Sequence, residues 1–312
     1  MRRNRVELIL LLMLASAVAW FGWLGYGMLP PQILEIFTGP KSPHTFDGEV
    51  ALAHAQYQCD LGPRPVNTEA HRQLQQYITE QLTQLKWEVE RQTFTYKDTP
   101  VVNLIARPAE DPRPDAPILL IGAHYDTRRR ADRDPDPARR DEPVPGANDG
   151  ASGVAVLLEL ARVLDLDRSS YRIRLAFFDA EDNGRLDEWE FIVGSTYMAE
   201  HLEPEDRPDL VIVIDMIGDA DQQIYMERNS YFKLQQQLWE IAHRLNYGDV
   251  FIPEFKWSIL DDHMPFLKAG IPAVDIIDFD YPYWHTVEDT CDKLSAESLE
   301  RVGRVLEVFI EE

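Results

Sequence analysis

Basic residues are scarce in this chain. Its 31 lysines and arginines face 54 aspartates and glutamates across 312 residues, giving a net charge of −23 at pH 7. A surface of that sign repels phosphate backbones, so nucleic acid is excluded as a partner. Cysteine is nearly absent: Cys59 and Cys291 are the whole complement. They can form one disulfide in an oxidising compartment, although two free thiols is at least as good a reading, because sequence does not say whether their Cβ atoms meet. Internal repeats of solenoid type are missing too, which removes the stacked-repeat architectures. Long apolar runs are limited to one, at the N-terminus.

That run covers residues 8–28 and follows Arg2, Arg3 and Arg5. At about 1.5 Å per residue a helix of this length spans a hydrocarbon core of about 30 Å. The basic flank stays cytoplasmic, leaving the rest of the chain outside. Ala15 and Ala17 offer a competing signal-peptide cleavage pattern. Trp20, Phe21, Trp23 and Leu24 carry the apolar segment past it, so an uncleaved anchor is expected. The division read from the sequence is 1–30 as membrane anchor or signal segment, 31–47 as linker and 48–312 as catalytic domain.

Within the domain, residues 68–86 place Leu74, Ile78, Leu82 and Leu85 at spacings of three and four, the pattern of a helix with one face packed inward. Apolar β-rich runs follow at 101–106, 118–122, 173–178, 210–214 and 271–277. Helical stretches separate several of them, including 154–164, which predicts an α/β fold with a mostly parallel central sheet and helices on both faces. Residues 128–145, RRRADRDPDPARRDEPVP, have no apolar face and read as a solvated surface loop whose arginines assist an acidic substrate at most. The chain ends in a helix with Ser295 as N-cap and Leu299, Val302, Leu306 and Phe309 on one face.

Open α/β sheets bind ligands beyond the carboxyl ends of their strands. The run at 118–122 leads into His124 and Asp126, that at 173–178 into Asp179, Glu181 and Asp182, and that at 210–214 ends at Asp215. The run starting near residue 271 leads on to Trp284 and His285, and Asp149 sits in a glycine-rich turn before a helix. Carboxylates combined with imidazoles suit zinc, with one coordination position left open for catalysis. Asp126 is placed to orient an imidazole. Glu181 and Asp182 are neighbours that project differently, one to ligate and the other to face reacting atoms as acid or base. A Ser/His/Asp hydrolase is the rival class, but Ser152 lacks the G-x-S-x-G frame.

The ordered set HYDT (124–127), GANDGASG (146–153), FFDAED (177–182), IDMIG (214–218), DDHMPF (261–266) and WHTVEDT (284–290) resembles the superfamily of zinc aminopeptidases and glutaminyl-peptide cyclotransferases. The likeness runs from Cys59, which opens CDLGPRP, to the C-terminus, and implies a zinc-exopeptidase-like, phosphorylase/hydrolase-like fold acting on peptide N-termini. As an aminopeptidase it implies two zincs held by His124, Asp149, Asp182, Asp215 and His285, with Glu181 as general base. As a cyclotransferase it implies one zinc on Asp149, Asp182 and His285, with Glu181 shuttling a proton. Three features favour the second: Asp261, which the resemblance pairs with Asp215 and so withdraws it from metal; Trp284, walling the substrate pocket; and a long segment after Asp182 carrying Trp189. Asp261 also reads as the cap of a helix from Met264.

Overall fold

A computed structural model describes residues 44–312. Helix α1 (Gly48–Leu61) is capped by Asp47, whose side chain accepts from the Glu49 N–H, and α2 (Glu69–Gln84) by Thr68. Leu74, Ile78 and Leu82 of α2 are fully buried. Each contributes about 1.5–3 kcal/mol on burial, which fixes the helix on the sheet. Leu85 departs from the expectation: it is the C-terminal cap and lies exposed. Phe46, near the end of the expected linker, is buried against Gly303 in the core.

Strands β1 (Trp87–Tyr96) and β2 (Thr99–Pro108) form a hairpin, followed by β3 (Ile118–His124), α3 (Ala151–Val163), β4 (Arg172–Phe178), α4 (Val193–Glu200) and β5 (Leu210–Asp215). Then come β6 (Ile224–Met226), α5 (Phe232–Arg244), β7 (Phe251–Phe255), α6 (His263–Lys268), β8 (Ala273–Ile277) and α7 (Ala296–Glu311). The main sheet has the order β1-β2-β4-β3-β5-β8. Strands β4, β3, β5 and β8 run parallel, whereas β2 pairs antiparallel with β4 and brings β1 with it. β6 and β7 form a small separate sheet.

Alternation along the central strands sorts the core into two layers. Leu119 and Ile121, Ile173, Leu175 and Phe177, and Ile212 and Ile214 face one side, with apolar residues of α2, α3, α5 and α7. Leu120, Ala176 and Phe178, and Val211 and Val213 face the other, with Met198 of α4 and Phe266 of α6. This period of two is what a strand covered on both faces requires, and helices do lie on both faces. Gly153 lets α3 approach the sheet, since a Cβ there would sit 2.7 Å from both the Ala123 side chain and the Ile214 carbonyl.

Cys59, in α1, and Cys291 form a disulfide with their Cα atoms 6.2 Å apart, so the free-thiol reading is corrected. Ser295 stands at the N-cap of α7, but its hydroxyl makes no capping bond. Among the described residues no helix is long and apolar enough to cross a membrane; the apolar stretch 8–28, and with it the expected anchor, lies outside the described residues.

Candidate metal centre

The carboxyl ends of β3, β4 and β5 deliver side chains to one place. β3 ends on His124 and β5 on Asp215, while Glu181 and Asp182 follow β4 after a turn. Three residues at these bends have left-handed backbones: Ala180 (φ 58°), Met216 (φ 47°) and His285 (φ 57°). Such conformations cost on the order of 1 kcal/mol or more each and persist where the surroundings impose them. Here they turn Glu181, Asp215 and His285 inward. Asp149 arrives from the glycine turn. Gly150, at φ 105°, approaches the Asp126 carbonyl so closely that a Cβ would lie 2.8 Å from it.

Two overlapping groups of ligand atoms result, each within 4.8 Å: His124, Asp149 and Asp215; and Asp149, Asp182 and His285. His124 Nε2 lies 3.2 Å from Asp149 Oδ1 and 3.1 Å from Asp215 Oδ1. His285 Nε2 lies 2.9 Å from Asp182 Oδ1 and 3.8 Å from Asp149 Oδ2. Burial alone would lower both imidazoles. Asp215, with Asp126 and Asp149, outweighs it and holds His124 well above its ordinary value. Asp182, with Asp132 and Asp149, lifts His285 to about 9. Burial, then the Asp182 charge, pushes the Glu181 carboxyl well up.

Zinc fits this donor set. Oδ2 of Asp149 and Oδ2 of Asp182 are buried with no hydrogen-bond donor, and buried carboxylate oxygens without partners are costly unless a cation takes them up. Imidazole nitrogen with carboxylate oxygens is zinc chemistry.

Residues behind these candidate ligands complete the arrangement. Asp126 receives the main-chain N–H groups of Glu181 at 2.9 Å and Asp182 at 3.4 Å, and lies 3.8 Å from His124 Nδ1. Asp289 takes the N–H groups of Asn148 and Asp149 at 2.8 and 3.2 Å, fixing the glycine turn. Fully buried Arg64 donates to the carbonyls of Pro145 and Gly146 in the same turn. Asp179 turns away and pairs with His71 at 2.8 Å.

The 128–145 segment is not merely a solvated loop. Arg128, Ala131, Asp134 and Val144 are buried. Arg128 donates to the Asp182 carboxylate and carbonyl and to the Gly184 carbonyl, and Asp132 lies 3.5 Å from His285 Nδ1. An unbroken polar composition concealed both; the one available signal was the unusual density of arginine directly after HYDT.

A cavity of about 300 Å³ opens over the ligands, lined by Asp149, Glu181, Asp182, Asp215, Asp261 and His285 at its floor and by Phe191, Ile259, Phe279 and Trp284. Trp284 packs tilted against His285, with ring centroids 3.8 Å apart and planes at 31°. Trp189 is not in this lining. It packs with Val101, Ala180 and Val193, edge-on to Tyr96, and Phe191 occupies the wall instead. Asp261 is buried and its carboxyl is raised to about 6, by burial first and the Asp215 charge next. It is not the cap itself: Asp262 holds the N-cap position of α6, and the Asp261 side chain accepts the Asp262 N–H. Behind Asp261 stand Asp275, raised well up by burial and then by Asp261, and His263, 3.8 Å from Asp275 and 3.4 Å from Glu227.

Residues 103–310 match Peptidase family M28. The chain belongs to that family. A glutaminyl-peptide cyclotransferase of Drosophila melanogaster is 27% identical over 286 residues, covering 80% of this chain and 77% of that protein. Aminopeptidase YwaD of Bacillus subtilis is 28% identical over 234 residues, covering 70% of this chain and 46% of that protein. Among solved structures, the glutaminyl cyclase of Bacteroides thetaiotaomicron bound to N-acetylhistamine superimposes with a TM-score of 0.79 at 30% identity, covering 87% of this chain and 99% of that one.

Proposed function

We propose that this M28 chain is a zinc-dependent glutaminyl-peptide cyclotransferase, converting N-terminal glutamine of peptides to pyroglutamate with release of ammonia. The observation that carries the reading is Asp261 at the cavity floor, within the field of Asp215. The charge of Asp215 helps to raise the Asp261 carboxyl, and this juxtaposition of two acids supports one zinc, held by Asp149, Asp182 and His285, with His124 and Asp215 tied to each other at 3.1 Å.

When bound, zinc polarises the side-chain amide carbonyl of the substrate. The chain supplies the rest. Trp284 and Phe279 wall the glutamine side chain, and the acidic floor with Asp215 and Asp261 receives the N-terminal amine. Holding amine and amide in one cavity makes the attack intramolecular, which removes the entropic cost of encounter. The amine nitrogen bonds to the amide carbon, Glu181 takes the amine proton, and the same carboxyl returns it to the departing nitrogen as the C–N bond breaks, giving ammonia.

The Cys59–Cys291 disulfide supports an oxidising, extracytoplasmic location for residues 48–312, in keeping with an N-terminal anchor at residues 1–30 and a linker after it. Zinc per chain, measured with ammonia release from a Gln-initiated dipeptide, tests the function. One zinc with ammonia and no free glutamine is expected. Two zincs with liberated N-terminal residues instead establish a metallo-aminopeptidase, the alternative the second ligand group favours. With one zinc in the parent, replacing Asp261 with Ser should raise zinc binding above one per chain; an unchanged count rules out Asp261 as what limits it.

A further inference from the structure

The cavity over the metal centre is graded from floor to rim. Asp149, Asp182, Asp261 and His285 are buried, whereas Leu260, at 56% exposure, and the side chains of Arg133 and Arg185 stand in solvent at the mouth. A volume of about 300 Å³ is at the small end for ligand pockets. It takes the first residue of a peptide, and the residues after it run over the rim.

Arg133 and Arg185 are unusual in their surroundings. Most arginines near them are engaged by acids, Arg128 by Asp132 and Asp182, Arg129 and Arg130 by Asp187, and Arg139 by Glu142 and Glu288, while Arg140 donates to the Asp134 carbonyl. Neither Arg133 nor Arg185 forms an ion pair among the described residues, although the chain carries 54 acidic side chains. Both are anchored by their backbones. The Arg133 N–H donates to the His285 carbonyl at 3.2 Å and its guanidinium lies 5.3 Å over the Trp284 ring; the Arg185 N–H donates to the Trp189 carbonyl at 2.8 Å. Among the acids of the floor, Asp149, Asp182 and Asp215 lie beside His124, His285 or Arg128, and the two guanidinium groups are exposed.

From this placement we infer that Arg133 and Arg185 form an anion-selective rim that favours peptides with aspartate or glutamate at the second or third position. The inference rests on the reading of the cavity as a peptide N-terminus site, and it holds whether the bound peptide is cyclised or trimmed. An exposed ion pair is worth roughly a factor of 1.5 to 5 in affinity, so the two together give about two- to twenty-five-fold. Screening should shrink the preference at high salt.

Binding of Gln-Glu-Ala, Gln-Ala-Ala and Gln-Lys-Ala to zinc-loaded Glu181→Gln protein, followed by calorimetry, tests this without turnover. The acidic peptide should bind about two- to twenty-five-fold tighter than the neutral one and the lysine peptide weakest. Adding Arg133→Ala and Arg185→Ala should level the three, and Arg133→Glu with Arg185→Glu should reverse the order. Equal affinities, a tighter lysine peptide, an order untouched by the arginine substitutions, or no binding overturns the rim. Ammonia release by the unsubstituted enzyme is read separately, so a failed cyclotransferase assignment is not confused with a failed rim.

Discussion

Arg128 donates from one nitrogen to two oxygens of Asp182, the main-chain carbonyl at 2.9 Å and the carboxylate at 3.2 Å. A proposed metal ligand is thus gripped by a buried cation, which fixes its orientation and leaves its second oxygen free. Residues that orient ligands from behind typically change metal affinity about 10–100-fold when lost. Arg128→Lys keeps the charge but loses the planar fork that also reaches Gly184. Chelator competition should show zinc affinity falling by about that factor, with the circular dichroism spectrum retained. Unchanged affinity would mean that the grip does not position Asp182.

Glu181 follows a left-handed Ala180 and has its N–H held by Asp126. Those contacts aim the backbone and leave the carboxyl free for proton transfer. Glu181→Gln preserves shape and removes the proton carrier. Turnover should fall by about 10²–10⁴, while zinc content stays at the unsubstituted level. A kcat within threefold of the parent removes Glu181 from the chemistry.

Much of this was legible in the sequence because strand ends and chemistry coincide. Apolar runs, broken only by Arg174 in β4, marked β3, β4 and β5, and His124, Glu181, Asp182 and Asp215 at or shortly after their ends come together, while Asp179 turns away. Residues within apolar or uniformly polar stretches were hidden. Asp275 lies inside the fully buried strand β8 and reads as part of an apolar run; Arg128 and Asp132 vanish into a polar segment. β1 was missed although its exposed and covered residues partly alternate, because charged side chains on an edge hairpin dilute the apolar signal. Trp189 was assigned to the pocket by resemblance, and the turn between Asp182 and α4 delivers Phe191 there instead.

The disulfide joins residues separated by 232 positions, a pairing that no local pattern encodes. Cross-linking over so long a loop restricts the unfolded chain. Replacing both cysteines with serine should lower the unfolding free energy by about 2–5 kcal/mol, seen as a lower urea midpoint with a steeper slope, because the unfolded chain freed of the cross-link exposes more surface. Adding reductant to the parent should reproduce most of the shift. Coincident curves for parent and variant would show that the bond contributes no net stability.

Asp278 gives a pH dependence separate from the metal ligands. Burial, the largest cause, raises its carboxyl to about 7 even though it accepts from the N–H groups of Gln223 and Asp280. In the unfolded chain it titrates near 3.9. The folded state therefore binds the proton more tightly; the contribution is fully present below about pH 4 and is lost as pH rises through 7. About three pH units at 1.4 kcal/mol each set an upper bound of roughly 4 kcal/mol, and on the order of 1 kcal/mol should be measurable. Asp278→Asn stays neutral and keeps an acceptor for Gln223. Urea unfolding of the metal-free proteins at pH 5 and pH 8 should show the variant losing less stability across that interval than the parent. Parallel losses would mean that Asp278 ionises in the folded protein near its unfolded value.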